Sequence, residues 1–281
     1  MGEGQQESLA ITRKLIKQED LELEYFTAGQ GEETVVCLHG HGRTYEDYTF
    51  LINPNRKWIA LHLFFHGESK YPENRIEKDP LTTPEFLSLF RELLANEHVA
   101  NFHLLAYSQG GRFAMIMFPH LYTQINSVTL MAPDGLDNNS FYNKSSHQPL
   151  ARSFFRAWEK NPNRAKRVAK IALTLKLVRP KVYDFVQHFL SDETAFRRAS
   201  LTWRGFRMLR TDEKAIARIV KSEKIPFQII MGTYDQVIRP IQAYGFAKRT
   251  GLDCVKEIPC NHNFFKPENR EKFTPLLWFQ V

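Results

Sequence analysis

Apolar residues along this chain follow two alternating spacings. The short, mostly apolar runs Thr34–Leu38, Trp58–Phe65, Phe102–Ala106, Val128–Met131 and Phe227–Met231 read as strands, and Thr34–Leu38 is unbroken, of the kind buried on both faces. Cys254–Ile258 reads as a further strand. Leu9–Ile16 and Leu21–Thr27 read as a strand pair joined by the charged turn Lys17–Asp20. Between these runs, apolar positions recur at helical spacing. Phe86, Leu87, Phe90, Leu93 and Leu94 share one face of a helix predicted over Thr83–His98, with Pro84 in its first turn. Other helices are predicted from Thr44 or Tyr45 with Thr44 as N-cap, after Gly111, over Pro240–Lys248, and up to Phe279. Strand followed by helix, repeated, predicts an α/β fold: a mostly parallel, doubly wound sheet of about eight strands.

The alternation stops between residues 137 and 221. Helical pieces are predicted there over Leu150–Lys160, Asn163–Leu177, Lys181–Phe189 and Ala195–Leu209. The expected organisation is a core domain of residues 1–136 and 222–281, with 137–221 inserted as a helical cap over the carboxyl ends of the strands. Charge sharpens this division. The net charge is +7, yet Asp137–Arg210 holds sixteen Lys or Arg against five Asp or Glu, so the basic excess belongs to this segment. Such a segment, with Phe141, Tyr142, Trp158, Tyr183 and Trp203 interleaved, offers cations to a substrate carboxylate or phosphate. Most of its charges are nonetheless expected to be solvated helix surface.

Composition removes several classes. No nucleic-acid motif accompanies the basic segment, so no nucleic-acid partner is expected. No apolar run approaches the ~18–20 residues of a membrane span. The polar start Met1–Glu7 lacks the apolar core of a signal peptide, and Gln6 breaks a myristoylation pattern. Cys37, Cys254 and Cys260 have no paired spacing, which suits a reducing cytoplasm and implies no zinc site. The expectation is a cytoplasmic protein acting on a small molecule, with no cofactor and no metal.

The chemistry concentrates at loops after strands. Phe102–Ala106 runs into Tyr107-Ser108-Gln109-Gly110-Gly111 and then a helical pattern, placing one serine at a sharp strand-to-helix turn. Asp235 follows the strand Phe227–Met231, and His262 follows Cys254–Ile258. A serine hydroxyl becomes a useful nucleophile when an imidazole takes its proton, and the imidazole needs a carboxylate to hold its tautomer. Asp134 is a rival acid, and His39 and His66 are rival bases. Glycines in His39-Gly40-His41-Gly42 let the amide of His41 join that of Gln109 as an oxyanion hole. Tyr107, Gly40 and Arg112 are candidate substrate contacts, and Arg112 has an ion pair as its alternative role.

Together, Leu38–Gly42, Ala106–Gly111, Gly232–Asp235 and Asn261-His262 make the chain resemble the α/β-hydrolase fold superfamily from Leu9 to Phe279. The resemblance implies a Ser108, Asp235, His262 triad acting on a small carboxylic ester or related acyl compound, with an anionic substrate as an option. Dehalogenases and epoxide hydrolases of this fold carry aspartate at the elbow, and Ser108 points away from both. His66-Gly67-Glu68-Ser69 is similar to the family's Asp-x-x-Gly-His-Gly-x-Ser loop, but His62 stands where the Asp is usual and Phe65 where the first Gly is usual. Tyr107-Ser108-Gln109-Gly110-Gly111-Arg112 is also similar to the Tyr-Ser-x-Gly-Gly-Arg run of the cyclohexadiene-carboxylate synthase of menaquinone biosynthesis. That similarity implies a lyase alternative in which Arg112 grips a carboxylate. A non-catalytic binding protein on the same fold is the third reading.

Overall fold

The computed structural model describes residues 9–136, 146–161, 163, 167, 170, 171, 174 and 192–279. The predicted pieces Asn163–Leu177 and Lys181–Phe189, and the aromatics Phe141, Tyr142 and Tyr183, fall largely or wholly outside the described residues. Eight strands form one sheet: β1 Thr12–Gln18, β2 Leu21–Ala28, β3 Glu33–Leu38, β4 Arg56–Leu61, β5 Phe102–Tyr107, β6 Ile125–Met131, β7 Phe227–Gly232 and β8 Val255–Ile258. Their order across the sheet is β1-β2-β4-β3-β5-β6-β7-β8. β1 and β2 pair antiparallel, as do β2 and β4, and every later pairing is parallel.

The helices follow the predicted punctuation. α1, Thr83–Asn96, starts one residue after its N-cap, Thr82, whose hydroxyl accepts from the Glu85 amide while Glu85 reaches back to the Thr82 amide. α2 is Gln109–Leu121, and α3 (Pro149–Lys160), α4 (Glu193–Gly205), α5 (Glu213–Glu223), α6 (Pro240–Thr250) and α7 (Pro267–Phe273) come later in the chain. The element after Thr44 is a 3₁₀ helix, Tyr45–Leu51, capped by Thr44 as expected. The terminal helix is shorter than predicted: α7 ends at Phe273 and hands over to a 3₁₀ turn, Thr274–Leu276, with Pro275 inside it. A proline there lacks the amide an α-helix would use.

Residues 1–71, 82–138 and 209–281 form one compact unit, and 72–81 with 139–208 form a second. The expected insertion ran from 137 to 221. The second unit instead takes in the segment 72–81, while α5 belongs to the first, packing on α2 and α6. Charge accounts for the grouping of 72–81. Glu77 accepts from Arg152 at 3.1 Å and Arg204 at 2.9 Å, and Glu73 pairs with Arg197 at 2.6 Å. Arg204 also meets Glu159 of α3, so Arg152 and Arg204 are largely buried against carboxylates, while Arg197 is paired but half exposed. In the same unit α3 and α4 pack together, with Phe155 edge-on to Trp203 at 5.2 Å.

In the first unit, β3, β4 and β5 are the centre of the core, with Val35–Leu38, Ile59–Leu61 and Leu105-Ala106 wholly buried. β3 pairs with β4 on one side and β5 on the other, so the chain winds in opposite directions from the β3–β5 boundary. Loops leaving two such strands diverge and open a crevice at their carboxyl ends. Leu38 lies opposite Ala106 in register, which sets the loop after β3 beside the turn after β5. No described helix is long and apolar enough to cross a membrane.

Candidate active site

Ser108 stands between β5 and α2 with φ 49° and ψ −116°, a backbone conformation a non-glycine residue adopts only under constraint. The constraint is visible in its hydrogen bonds. The Ser108 amide donates to Met131 O at 2.9 Å, and its carbonyl accepts from the amides of Asp134 at 2.7 Å and Gly111 at 2.9 Å. Strain of this kind costs roughly 1–3 kcal/mol and persists where surrounding contacts over-determine it. Gly110 is required by close approach: a Cβ there would lie 2.3 Å from Leu38 O. Ala106, in place of the usual first glycine, is wholly buried and fits.

Three of the predicted residues meet. Ser108 Oγ lies 3.1 Å from His262 Nε2, and His262 Nδ1 lies 2.6 Å from Asp235 Oδ2. The Asp235 side chain is fully buried. Its other oxygen, Oδ1, accepts from the amides of Val237 at 2.8 Å and Ile238 at 3.0 Å. A buried carboxylate costs free energy unless its lone pairs are met, and here both oxygens are. The rival acid is engaged elsewhere: Asp134 takes a two-pronged contact from Arg112, Nε to Oδ2 at 2.8 Å and a terminal nitrogen to Oδ1 at 3.0 Å.

That pairing also decides the position of Arg112. The side chain is buried, and its remaining terminal nitrogen donates to Leu209 O at 3.0 Å. Of the two roles expected for Arg112, the geometry gives the ion pair, buried rather than on the helix surface. Tyr107 is likewise engaged within the fold. It is buried, its hydroxyl donates to the backbone carbonyl of His262, and its ring lies 5.2 Å from the His262 imidazole. Burial pushes the Tyr107 hydroxyl well above the ordinary phenol range, which keeps it a donor. Gly40 is pressed against this pair: a Cβ there would meet the Tyr107 ring at 2.7 Å and Ser108 Cβ at 3.0 Å. Its contribution is to let the loop after β3 lie against the elbow.

The amides of His41 and Gln109 lie in the two neighbouring loops, Gln109 as the first residue of α2. Opening a helix, the Gln109 amide has no carbonyl four residues back and sits at the positive end of the helix dipole. The rival bases, His39 and His66, are both committed to the backbone: His39 Nε2 accepts from the Leu63 amide at 3.0 Å, and His66 Nε2 from the Gly42 amide at 2.9 Å. Glu24 was not singled out in the sequence; it lies in the strand Leu21–Thr27, is buried, and accepts from His62 Nδ1 at 2.7 Å. The signal available was His62 itself, in the position where the resembling family has an acid.

The comparisons agree with this geometry at the level of fold. The family model for the alpha/beta hydrolase fold matches residues 33–268, and the chain belongs to that family. Solved structures are similar at low identity. A hydrolase from Pseudomonas aeruginosa superposes with TM-score 0.63 at 19% identity, covering 92% of this chain and 95% of that one. MGS-M2, an alpha/beta hydrolase from a Medee basin deep-sea metagenome library, gives 0.65 at 14%, covering 95% and 100%. The thioesterase domain from the curacin biosynthetic pathway gives 0.61 at 14%, covering 93% and 97%. No curated protein sequence matches the chain at a significant level.

Proposed function

We propose that the protein is a serine-triad hydrolase of small carboxylic esters or related acyl compounds. The observation that carries this reading is the unbroken line Ser108 Oγ, His262 Nε2, His262 Nδ1, Asp235 Oδ2, with spacings of 3.1 and 2.6 Å. In this reading Ser108 Oγ attacks the carbonyl carbon as His262 Nε2 takes its proton. Asp235 holds the imidazole with hydrogen on Nδ1 and stabilises the imidazolium. The amides of His41 and Gln109 receive the oxyanion. As the tetrahedral intermediate collapses, the leaving oxygen departs with the proton from His262. Water then repeats the sequence on the acyl-enzyme and returns Ser108 to its starting state.

The lyase alternative drew on Arg112 and the basic segment to hold an anionic substrate, and the Arg112 guanidinium is engaged by Asp134 and Leu209 O. An anionic substrate would need a different cation. The test is release of p-nitrophenol from acetate, butyrate and octanoate esters. Turnover above the buffer rate on at least one chain length is expected. No release from any of them, with pyruvate eliminated from an enolpyruvyl ether of a cyclohexene carboxylate instead, would favour the lyase and overturn the hydrolase.

A further inference from the structure

Four histidines, His39, His41, His62 and His66, crowd behind the loop that carries the His41 amide. Ring centroids are 4.7 Å apart for His39 and His66, 5.5 Å for His39 and His62, and 5.7 Å for His41 and His66. Their hydrogen bonds fix tautomers without any need to see a proton. A backbone amide can only donate, so an imidazole nitrogen facing one must carry a lone pair. The Leu63 amide faces His39 Nε2 at 3.0 Å, and the Gly42 amide faces His66 Nε2 at 2.9 Å. The Tyr45 amide faces His62 Nε2 at 3.3 Å. A carbonyl can only accept, so the opposite nitrogen must carry hydrogen. His39 Nδ1 lies 2.7 Å from Gly40 O, and His66 Nδ1 lies 3.1 Å from Phe64 O. His62 Nδ1 faces Glu24 Oε2 at 2.7 Å. The rings of His39 and His66 are therefore neutral with hydrogen on Nδ1.

Two of these bonds cross between the loops. His39 leaves β3 and takes the Leu63 amide beyond β4, while His66 beyond β4 takes the Gly42 amide beside His41. The two imidazoles tie the loops together in opposite directions. A proton arriving on either Nε2 would set a donor against a donor and release the amide it holds. Burial drives His39 well below the ordinary imidazole value, which keeps it neutral. Facing His66 are the rings of His39 and His41 from the loop after β3, and His62 of its own loop faces His39. Behind His62 stand Glu24 of β2 and Arg13 of β1, which pair with each other.

We propose that His39 and His66 are positioning residues, a neutral imidazole clamp that aims the His41 amide at the reacting oxygen and opens when His66 takes up a proton. The proposal rests on the hydrolase reading for the amide's purpose, but not for the clamp's existence. A misaimed oxyanion donor costs ~10–1,000-fold in turnover with little effect on ground-state binding. Acidification should therefore remove activity with two protons, one on the base His262 and one on His66.

Two measurements test it. The first is long-range proton–nitrogen NMR of the imidazoles in the full chain at neutral pH. The uncommon Nδ1–H tautomer at His39 and His66 is expected, and an Nε2–H or charged ring at either overturns the clamp. The second is the acid limb of kcat for ester hydrolysis, with circular dichroism confirming the fold at each pH. Wild type should fall with a slope of two. His66→Gln, whose side-chain oxygen can accept from Gly42 but cannot be protonated there, should keep neutral-pH kcat within ~3-fold and fall with a slope of one. His66→Leu should lose ~10–100-fold in kcat with KM within ~2-fold. Identical limbs in wild type and His66→Gln overturn the proposal. If no ester is turned over while the tautomers are as stated, the hydrolase reading fails alone and the clamp stands as the device that holds this loop.

Discussion

Ser108→Ala, His262→Ala and the double variant are expected to lose ester turnover by about the same factor, on the order of 10⁶. The equality matters more than the size. In the proposed mechanism, with Ser108 Oγ 3.1 Å from His262 Nε2, attack and proton removal are one event, and removing either partner would end it. A double variant then has nothing further to lose. Residual activity of roughly 10³–10⁴ over the uncatalysed rate should remain in all three, from the amides of His41 and Gln109 and from binding. Neither single change should unfold the protein. Alanine at 108 carries the same backbone strain as serine, and the bonds from Gly111, Asp134 and Met131 that enforce it involve only main-chain atoms. Steady-state kcat for the three variants, with their thermal midpoints, checks this. Losses that multiply in the double variant would mean that the two side chains act separately.

Asp235→Asn should cost ~10⁴-fold in kcat while leaving KM and the fold nearly unchanged. The direction follows from the two backbone amides. Val237 and Ile238 both donate to Oδ1, so the only oxygen of an asparagine would stay there and its NH₂ would face His262 Nδ1. That forces a lone pair onto Nδ1 and hydrogen onto Nε2, leaving the base unable to accept from Ser108. Asp134→Asn makes the contrast. It should leave kcat within ~3-fold but lower stability by roughly 2–3 kcal/mol, because the buried Arg112 guanidinium loses its charged partner. The figure sits below the range for fully buried pairs, since the Asp134 side chain is partly exposed. Kinetics and urea unfolding of the two variants, side by side, should show this split. The reverse pattern would make Asp134 the acid.

The sheet was legible because strands buried on both faces leave continuous apolar runs, as Val35–Leu38 and Leu104–Ala106 do. Ends were less so. The run Trp58–Phe65 looks like one long strand, yet β4 ends at Leu61 because the backbone beyond it turns into the loop that His39 and His66 brace. That Ser108, Asp235 and His262 would meet was legible from their order and from the strands they follow. Roles that depend on which way a side chain points were not. Arg112 one turn after Ser108 fits a substrate contact equally well on a helical wheel, and only the position of Asp134 after β6 turns it into an ion pair. Tyr107 next to the nucleophile reads as pocket lining until the His262 carbonyl is found over its hydroxyl. The two-unit division depended on long-range charge. Glu73 and Glu77 lie far in sequence from the arginines they hold, and nothing in their local pattern marks them as part of the second unit.

The central claim is that Ser108 is a hydroxyl made nucleophilic by His262. It is tested most directly by incubating the folded wild-type protein with a fluorophosphonate and mapping the adduct by mass spectrometry. One phosphonyl group per chain is expected, on Ser108, with labelling abolished in Ser108→Ala and reduced by roughly 100-fold or more in His262→Ala. An unlabelled Ser108 in protein of intact fold, or labelling spread over other serines at the same rate, would contradict it.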